Sequence, residues 1–229
     1  YFSEEPTDSE QKTMTAFMQK QTHPLNEQQK NLALIAAFAA TGELLHLGAA
    51  LENGLDSGLT ISDCREVLVQ LYAYAGFPRS LNALGVLMKT VEARHLNGKN
   101  DREGSQPGPM PSPQEMLAAG TQNQTALVGS PVKGALFDFA PAADQYLKTH
   151  LFGDIFARDN LDWKSRELAT VGALAALSGV EPQLKAHLGI SINVGLSADQ
   201  LRALVPYFKA KGAGEAAQRL ENALNTLTA

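Results

Sequence analysis

RELATVGALAALSGVEPQLKAHLGISINVGLS, residues 166–197, is the stretch on which the fold reading turns. Its apolar, alanine-rich first part completes a long helix from Trp163 to Leu177, with no alternation of the kind a strand requires. Pro182 stands where a first helical residue is tolerated and opens a second helix that runs to about Val194. Ser197, followed three residues later by Gln200, forms a capping box for another. Few segments elsewhere alternate like strands, so an all-α fold is expected.

The same grammar appears toward the N-terminus. Asn31 to Ala40 reads as a buried helix, and Glu43 to Asn53 as a second helix stopped by Gly54. Thr60 to Ala75 reads as a third, capped by Thr60 and Asp63, with Cys64, Val67, Leu68 and Leu71 on one apolar face. Gly76-Phe77-Pro78 opens a fourth, with Leu81, Leu84, Leu87, Met88 and Val91 as its stripe and Gly98 as its end. Beyond it the Gly/Pro-rich segment NGKNDREGSQPGPMPSP cannot bury apolar surface. The expected organisation is a first unit at 1–98, a linker at 99–118 and a second unit at 119–229. Within the second unit, Lys133 to Phe152 holds two short apolar segments around Pro141, followed by a polar turn from Arg158 to Asp162.

With 229 residues, 44% of them hydrophobic, the chain can bury one large core or two smaller ones. The longest apolar run, Leu32 to Ala40, is too short to span a bilayer. A net charge of -5 without any Lys/Arg run argues against nucleic acid and anionic membrane as partners and for a small molecule or another protein. The chain begins at Tyr1 rather than Met and is read as trimmed, which leaves cytoplasmic and periplasmic locations both open. Cys64 is the only cysteine, so no internal disulfide, Cys-x-x-Cys pair or thiolate metal cluster is available. The five histidines, at 23, 46, 95, 150 and 187, lack ligand spacing, and neither a metal nor a cofactor is expected.

An internal repeat is also legible. His46-Leu47-Gly48 followed by Gly54-Leu55 corresponds to His187-Leu188-Gly189 followed by Gly195-Leu196, at an offset of 141. The apolar helices before them, KNLALIAAFAATG from Lys30 and RELATVGALAALSG from Arg166, match as well, as do the capped helices at Thr60 and Ser197. Duplication accounts for three matched elements in one order better than shared composition does.

The run from His150 to Ser197, HLFGDIFARDNLDWKSRELATVGALAALSGVEPQLKAHLGISINVGLS, resembles the signature region of the carboxymuconolactone decarboxylase family. HLGAALENGL at His46 and EVLVQLYAYAGFPRSLNAL at Glu66 are similar to that family's second characteristic stretch. The resemblance implies an all-helical fold of the alkylhydroperoxidase D type, assembled as a ring, with a homotrimer as the leading assembly. It also implies two chemistries: decarboxylation of a carboxylated lactone, or thiol-based peroxide reduction. The peroxidase branch uses a Cys-x-x-Cys pair as its attacking thiolate, which this chain lacks.

For the decarboxylase reading the resemblance implies His187 as general acid/base, Glu167 as its orienting partner and Arg166 as a carboxylate clamp or structural ion pair. Asn193 is a candidate hydrogen-bond donor to a lactone oxygen. In the first unit His46 remains, with Glu43 as a substitute partner, while Lys30-Asn31-Leu32 stands where Arg166-Glu167-Leu168 stands in the second. Tyr72, Tyr74 and Arg79 are candidates for lining a pocket, with Arg79 receiving an anionic ligand. Each assignment has a structural rival, a helix cap, an ion pair or a packing residue. The two units look complementary, so a composite site drawing on both is expected. A non-catalytic binding protein is the further alternative.

Overall fold

The computed structural model describes residues 7–13 and 23–227. Tyr1, and the reading of a trimmed terminus built on it, lie outside those residues. Among the described residues the chain is all-α, without a strand, and no helix is long and apolar enough to cross a membrane.

Two central helices, α1 (Glu27–Thr41) and α9 (Trp163–Ala176), form the most extensive helix pair. Both are apolar nearly all round, the mark of a helix buried on every side. Their N-terminal ends share one cavity, where Asn26, Gln29 and Leu32 meet Asp162 and Ser165, and their C-terminal ends share another, where Ala37 and Thr41 meet Ala176. The helices therefore run side by side in the same direction. Gly172 makes this approach possible, since a methyl group there would sit 2.1 Å from the Ala33 carbonyl oxygen.

Each central helix is started by a side-chain cap, Asn26 accepting from the Gln29 amide and Asp162 from the Ser165 amide. Each then turns back into a second helix, α2 (Leu44–Asp56) or α10 (Glu181–Asn193). In the first half α3 (Ile61–Gln70), α4 (Tyr72–Ala75) and α5 (Phe77–Leu96) follow. In the second half α11 (Ala198–Arg202), α12 (Leu204–Ala210) and α13 (Gly214–Leu227) follow. Between the halves lie α6 (Met116–Val128), α7 (Ala135–Phe139), α8 (Pro141–Tyr146) and a π-helical segment, Leu147–Ile155. One apolar cluster joins residues of both halves, and a smaller one is centred on Leu127, Leu151, Phe152, Ile155, Phe156 and Ile190.

Several expectations from sequence are altered. Gly54 does not stop α2, which continues to Asp56; the turn glycine is Gly58, with φ 102. Its match is Gly195, with φ 108. The Leu59 amide donates to the Gly54 carbonyl and the Leu196 amide to the Ser191 carbonyl, and the capping boxes of Thr60 and Ser197 follow directly. Gly58 and Gly195 lie 137 residues apart, not 141. In this register Ala50 stands opposite His187, and His46 stands opposite Gln183. The helix read from Thr60 to Ala75 breaks at Leu71. Of the α5 stripe, Leu87 is buried but Leu81 and Met88 are exposed.

The segment read as a linker is held throughout. Asp101 takes two hydrogen bonds from the buried Arg94, and the carbonyls of Arg102 and Glu103 receive the free first-turn amides of Ile61 and Ser62. Gly108 donates to Asp159. Helix α6 begins at Met116, inside the stretch expected to be linker, because the Met116 side chain packs on Gly153.

A buried ion network ties the halves together. Glu66 on α3 accepts from Arg158 at 2.6 Å, from Asn160 at 2.7 Å and from Arg166 at 3.2 Å. Burial alone would raise the Glu66 pKa; the hydrogen bonds from Arg158 and Asn160 and the charges of Arg166 and Arg158 outweigh it and hold it at about 2.

Two predictions follow from packing and charge. Gly172→Ala forces α1 and α9 apart and lowers stability by on the order of 1–3 kcal/mol, whereas Gly189→Ala, where the added methyl meets nothing within 4 Å, raises it by about 0.5–1 kcal/mol; thermal melts of both variants check the pair. Because the folded pKa of Glu66 is depressed, its contribution is complete above the ordinary carboxylate pKa and is lost as pH falls toward about 2. Glu66→Gln should show a shallower acid dependence in denaturant titrations between pH 5 and 2. It should also be about 3–5 kcal/mol less stable at neutral pH, through the unpaired Arg166.

Candidate functional site

The Asp162 cap sets where α9 begins, and Glu167 consequently falls on the turn that faces α10. Glu167 has no exposed surface, and His187 is 8% exposed. The His187 Nδ1–H donates to Glu167, 2.9 Å from Oε2 and 3.3 Å from Oε1. A carboxylate only accepts, so Nδ1 carries the proton and Nε2 is the nitrogen left for a ligand. The His187 carbonyl accepts from the Ser191 hydroxyl at 2.7 Å, which further ties the residue into α10.

The first half contributes Tyr74. Its ring meets the His187 imidazole edge-on, with centroids 5.7 Å apart at 86°. Its hydroxyl lies 3.1 Å from the Thr170 hydroxyl. Burial raises the Tyr74 pKa and the charge of Glu167 adds to this, so the phenol stays neutral. His187, Glu167 and Tyr74 thus come together from α10, α9 and α4.

The other residues singled out in the sequence lie elsewhere. Arg166 is fully buried and donates to Glu66, to Gln70 Oε1 at 3.2 Å and to the Arg158 carbonyl at 3.1 Å. It is an ion pair within the fold rather than a clamp open to a ligand. Asn193 commits its amide group to the Leu127 and Val128 carbonyls, both at 3.0 Å, and so closes the end of α6 instead of facing a lactone. Tyr72 stacks on Phe77 at 4.5 Å and borders the smaller apolar cluster. Arg79 lies against Gly42, at the turn between α1 and α2.

His46 is exposed at the start of α2, stacked on Phe38 at 4.9 Å, with Glu43 3.9 Å away. Glu43 also accepts from the Thr41 hydroxyl at 2.7 Å. Phe38, Thr41 and Glu43 line a cavity of about 510 Å³ with Gly212 to Ala216. This cavity does not include His187.

Sequence reasoning missed Glu66, Gln70 and Thr170. The available signal was a set of polar residues at buried helical positions, Glu66 and Gln70 one turn apart on α3 and Thr170 one turn after Arg166. Gln70 donates to the Arg166 carbonyl and to Thr170, at 3.1 and 3.2 Å. Cys64 is fully buried, and burial pushes its thiol up to about 12. Among the described residues no group of three His, Cys, Asp or Glu side chains is placed to hold a metal ion.

The carboxymuconolactone decarboxylase family model matches residues 141–225. No curated protein matches the chain. The matched segment contains α9 and α10 entire, with Glu167 and His187. Residues 141–225, with both members of the Glu167–His187 pair, are thus similar to the carboxymuconolactone decarboxylase family.

Proposed function

We propose that the chain is a cofactor-independent acid/base lyase that decarboxylates a small carboxylated lactone or ring-cleavage acid, with one working site per chain. The observation that carries this reading is the Glu167–His187 pair, a carboxylate without exposed surface bonded to an imidazole at the edge of exposure. Decarboxylation leaves an electron pair on the carbon that held the carboxylate, and that carbon must receive a proton. Protonated His187 delivers it from Nε2, while Glu167 holds the ring and stabilises the imidazolium. The proton returns to His187 from water after carbon dioxide leaves.

Dithiol peroxide reduction is the rival within the same family. It needs a thiolate, and a thiol held at about 12 in a fully buried position is neither ionised at neutral pH nor reachable. In our reading the two halves are diverged copies of one unit, and the chain assembles as a homo-oligomer, with a trimer favoured. The exposed Leu45, Phe77, Leu81, Met88, Leu136 and Phe139 supply apolar surface for such contacts. Its partner is a small carboxylate rather than nucleic acid or membrane.

Carbon dioxide release from a panel of carboxylated muconolactones and related ring-cleavage acids tests the reaction. His187→Ala should lower kcat by about 10²- to 10⁴-fold, and Glu167→Gln should lower it as well; folded protein that releases none from any member of the panel overturns the reading. In native protein at neutral pH, Cys64 should react with a thiol reagent no faster than the fold opens, as timed by amide hydrogen exchange around α3. Rapid labelling would return weight to thiol chemistry.

A further inference from the structure

Two tyrosines hold matching places in the halves but bond different groups. Leu68, Leu71 and Tyr74 pair with Leu201, Leu204 and Tyr207 at an offset of 133, four less than at the caps because α11 is shorter than α3, and each tyrosine reaches the central helix of the opposite half. The matched caps Asn26 and Asp162 set the correspondence of those central helices: Asn31 stands where Glu167 stands, and Leu34 where Thr170 stands. Tyr207 donates to Asn31 Oδ1 at 3.0 Å. Tyr74 instead meets Thr170, one turn further along α9 than Glu167.

The direction of that bond can be worked out from its neighbours. The Arg166 guanidinium only donates, so Gln70 Oε1 is its acceptor and Gln70 Nε2 faces Thr170 and the Arg166 carbonyl. Thr170 has one hydroxyl proton, and the carbonyl of Arg166, 2.8 Å away, can only accept it. The contact with Tyr74 must then be a donation from the tyrosine to Thr170.

We propose that Thr170 is a positioning residue: by accepting the hydrogen bond of the Tyr74 hydroxyl, it leaves the Glu167 carboxylate undivided for His187. Without an acceptor at Thr170, the buried phenol turns to Glu167, as Tyr207 turns to Asn31. Glu167 then shares its charge between two donors and holds His187 less firmly. The titratable groups set against His187 are Glu167 from α9 and Tyr74 from α4. Arg166 is turned to Glu66, and Lys185 on α10 is exposed; on α13, which also packs against α10, Arg219 is turned to the Ala175 and Ala176 carbonyls, Glu221 to Lys209, and Glu215 is exposed.

The inference rests on His187 and Glu167 being the working pair, but its test needs no substrate. Nitrogen-15 NMR titration of the His187 side chain is compared across variants of the full chain. Thr170→Val, which keeps the shape and removes the oxygen, should lower the His187 midpoint by about half a unit to one unit. Tyr74→Phe should leave the midpoint unchanged, and the double variant should return to the wild-type value. Thr170→Ser should titrate like wild type, and Thr170→Ala takes the place of Val where Val does not fold. An unchanged midpoint in Thr170→Val, or a shift that persists in the double variant, overturns the proposal. The expected pattern in a protein that releases no carbon dioxide would reject the lyase reaction and leave the positioning role standing.

Discussion

Arg166 carries a charge that no accessible pH removes, and it has no exposed surface. An unpaired guanidinium there would cost several kcal/mol, so the fold is arranged around its partners. Glu66 comes from α3, Gln70 from the next turn of the same helix, and the Arg158 carbonyl from the turn before α9. Glu66 in turn fastens Arg158 and Asn160, and Asn160 reaches Ser62 and the carbonyl of Ser105 in the segment joining the halves. One ion pair thus fixes α3, the joining segment and the start of α9 relative to each other. That fixed start puts Gly172 against Ala33 and aims Glu167 at α10.

The network also continues into the site. Arg166 orients Gln70, Gln70 donates to Thr170, and Thr170 receives the phenol whose ring meets His187. Each link has only one chemically permitted direction, because guanidinium groups only donate and carbonyls only accept. Orientation is passed along by exclusion, not by the strength of any single bond. This makes the site rigid without an acidic or basic residue in every position.

The helices were legible because their signals are local. Pro182, the Ser197 capping box and the apolar run of α9 each act within a few residues, and each has its expected place. The offset of 141 read from His-Leu-Gly and Gly-Leu differs from the 137 residues between the positive-φ glycines Gly58 and Gly195, because those short patterns recur in helices rich in these residues. Glu167 and His187 were visible through the family pattern, which records a spacing and not a contact. Arg166 was visible in the same way, yet its side-chain partners Gln70 and Glu66 lie 96 and 100 residues away, where no spacing rule reaches. Asn193 failed as a ligand donor because the open carbonyls of α6, from a distant part of the chain, claim its amide.

The helix caps and turn glycines pair the carboxylate and imidazole of the second half with uncharged groups in the first. Opposite Glu167 and His187 stand Asn31 and Ala50, and neither an amide nor a methyl group exchanges a proton near neutral pH. Asn31 is nonetheless retained in a buried, doubly bonded role, donating to the Glu27 carbonyl at 2.9 Å and accepting from Tyr207. A Glu there would be a second buried carboxylate with no imidazole beside it, a costly arrangement. The amide is the neutral group of nearly the same shape that satisfies both neighbours. The first half then serves the second: α3 supplies the counter-ion for Arg166, and α4 supplies the ring against His187.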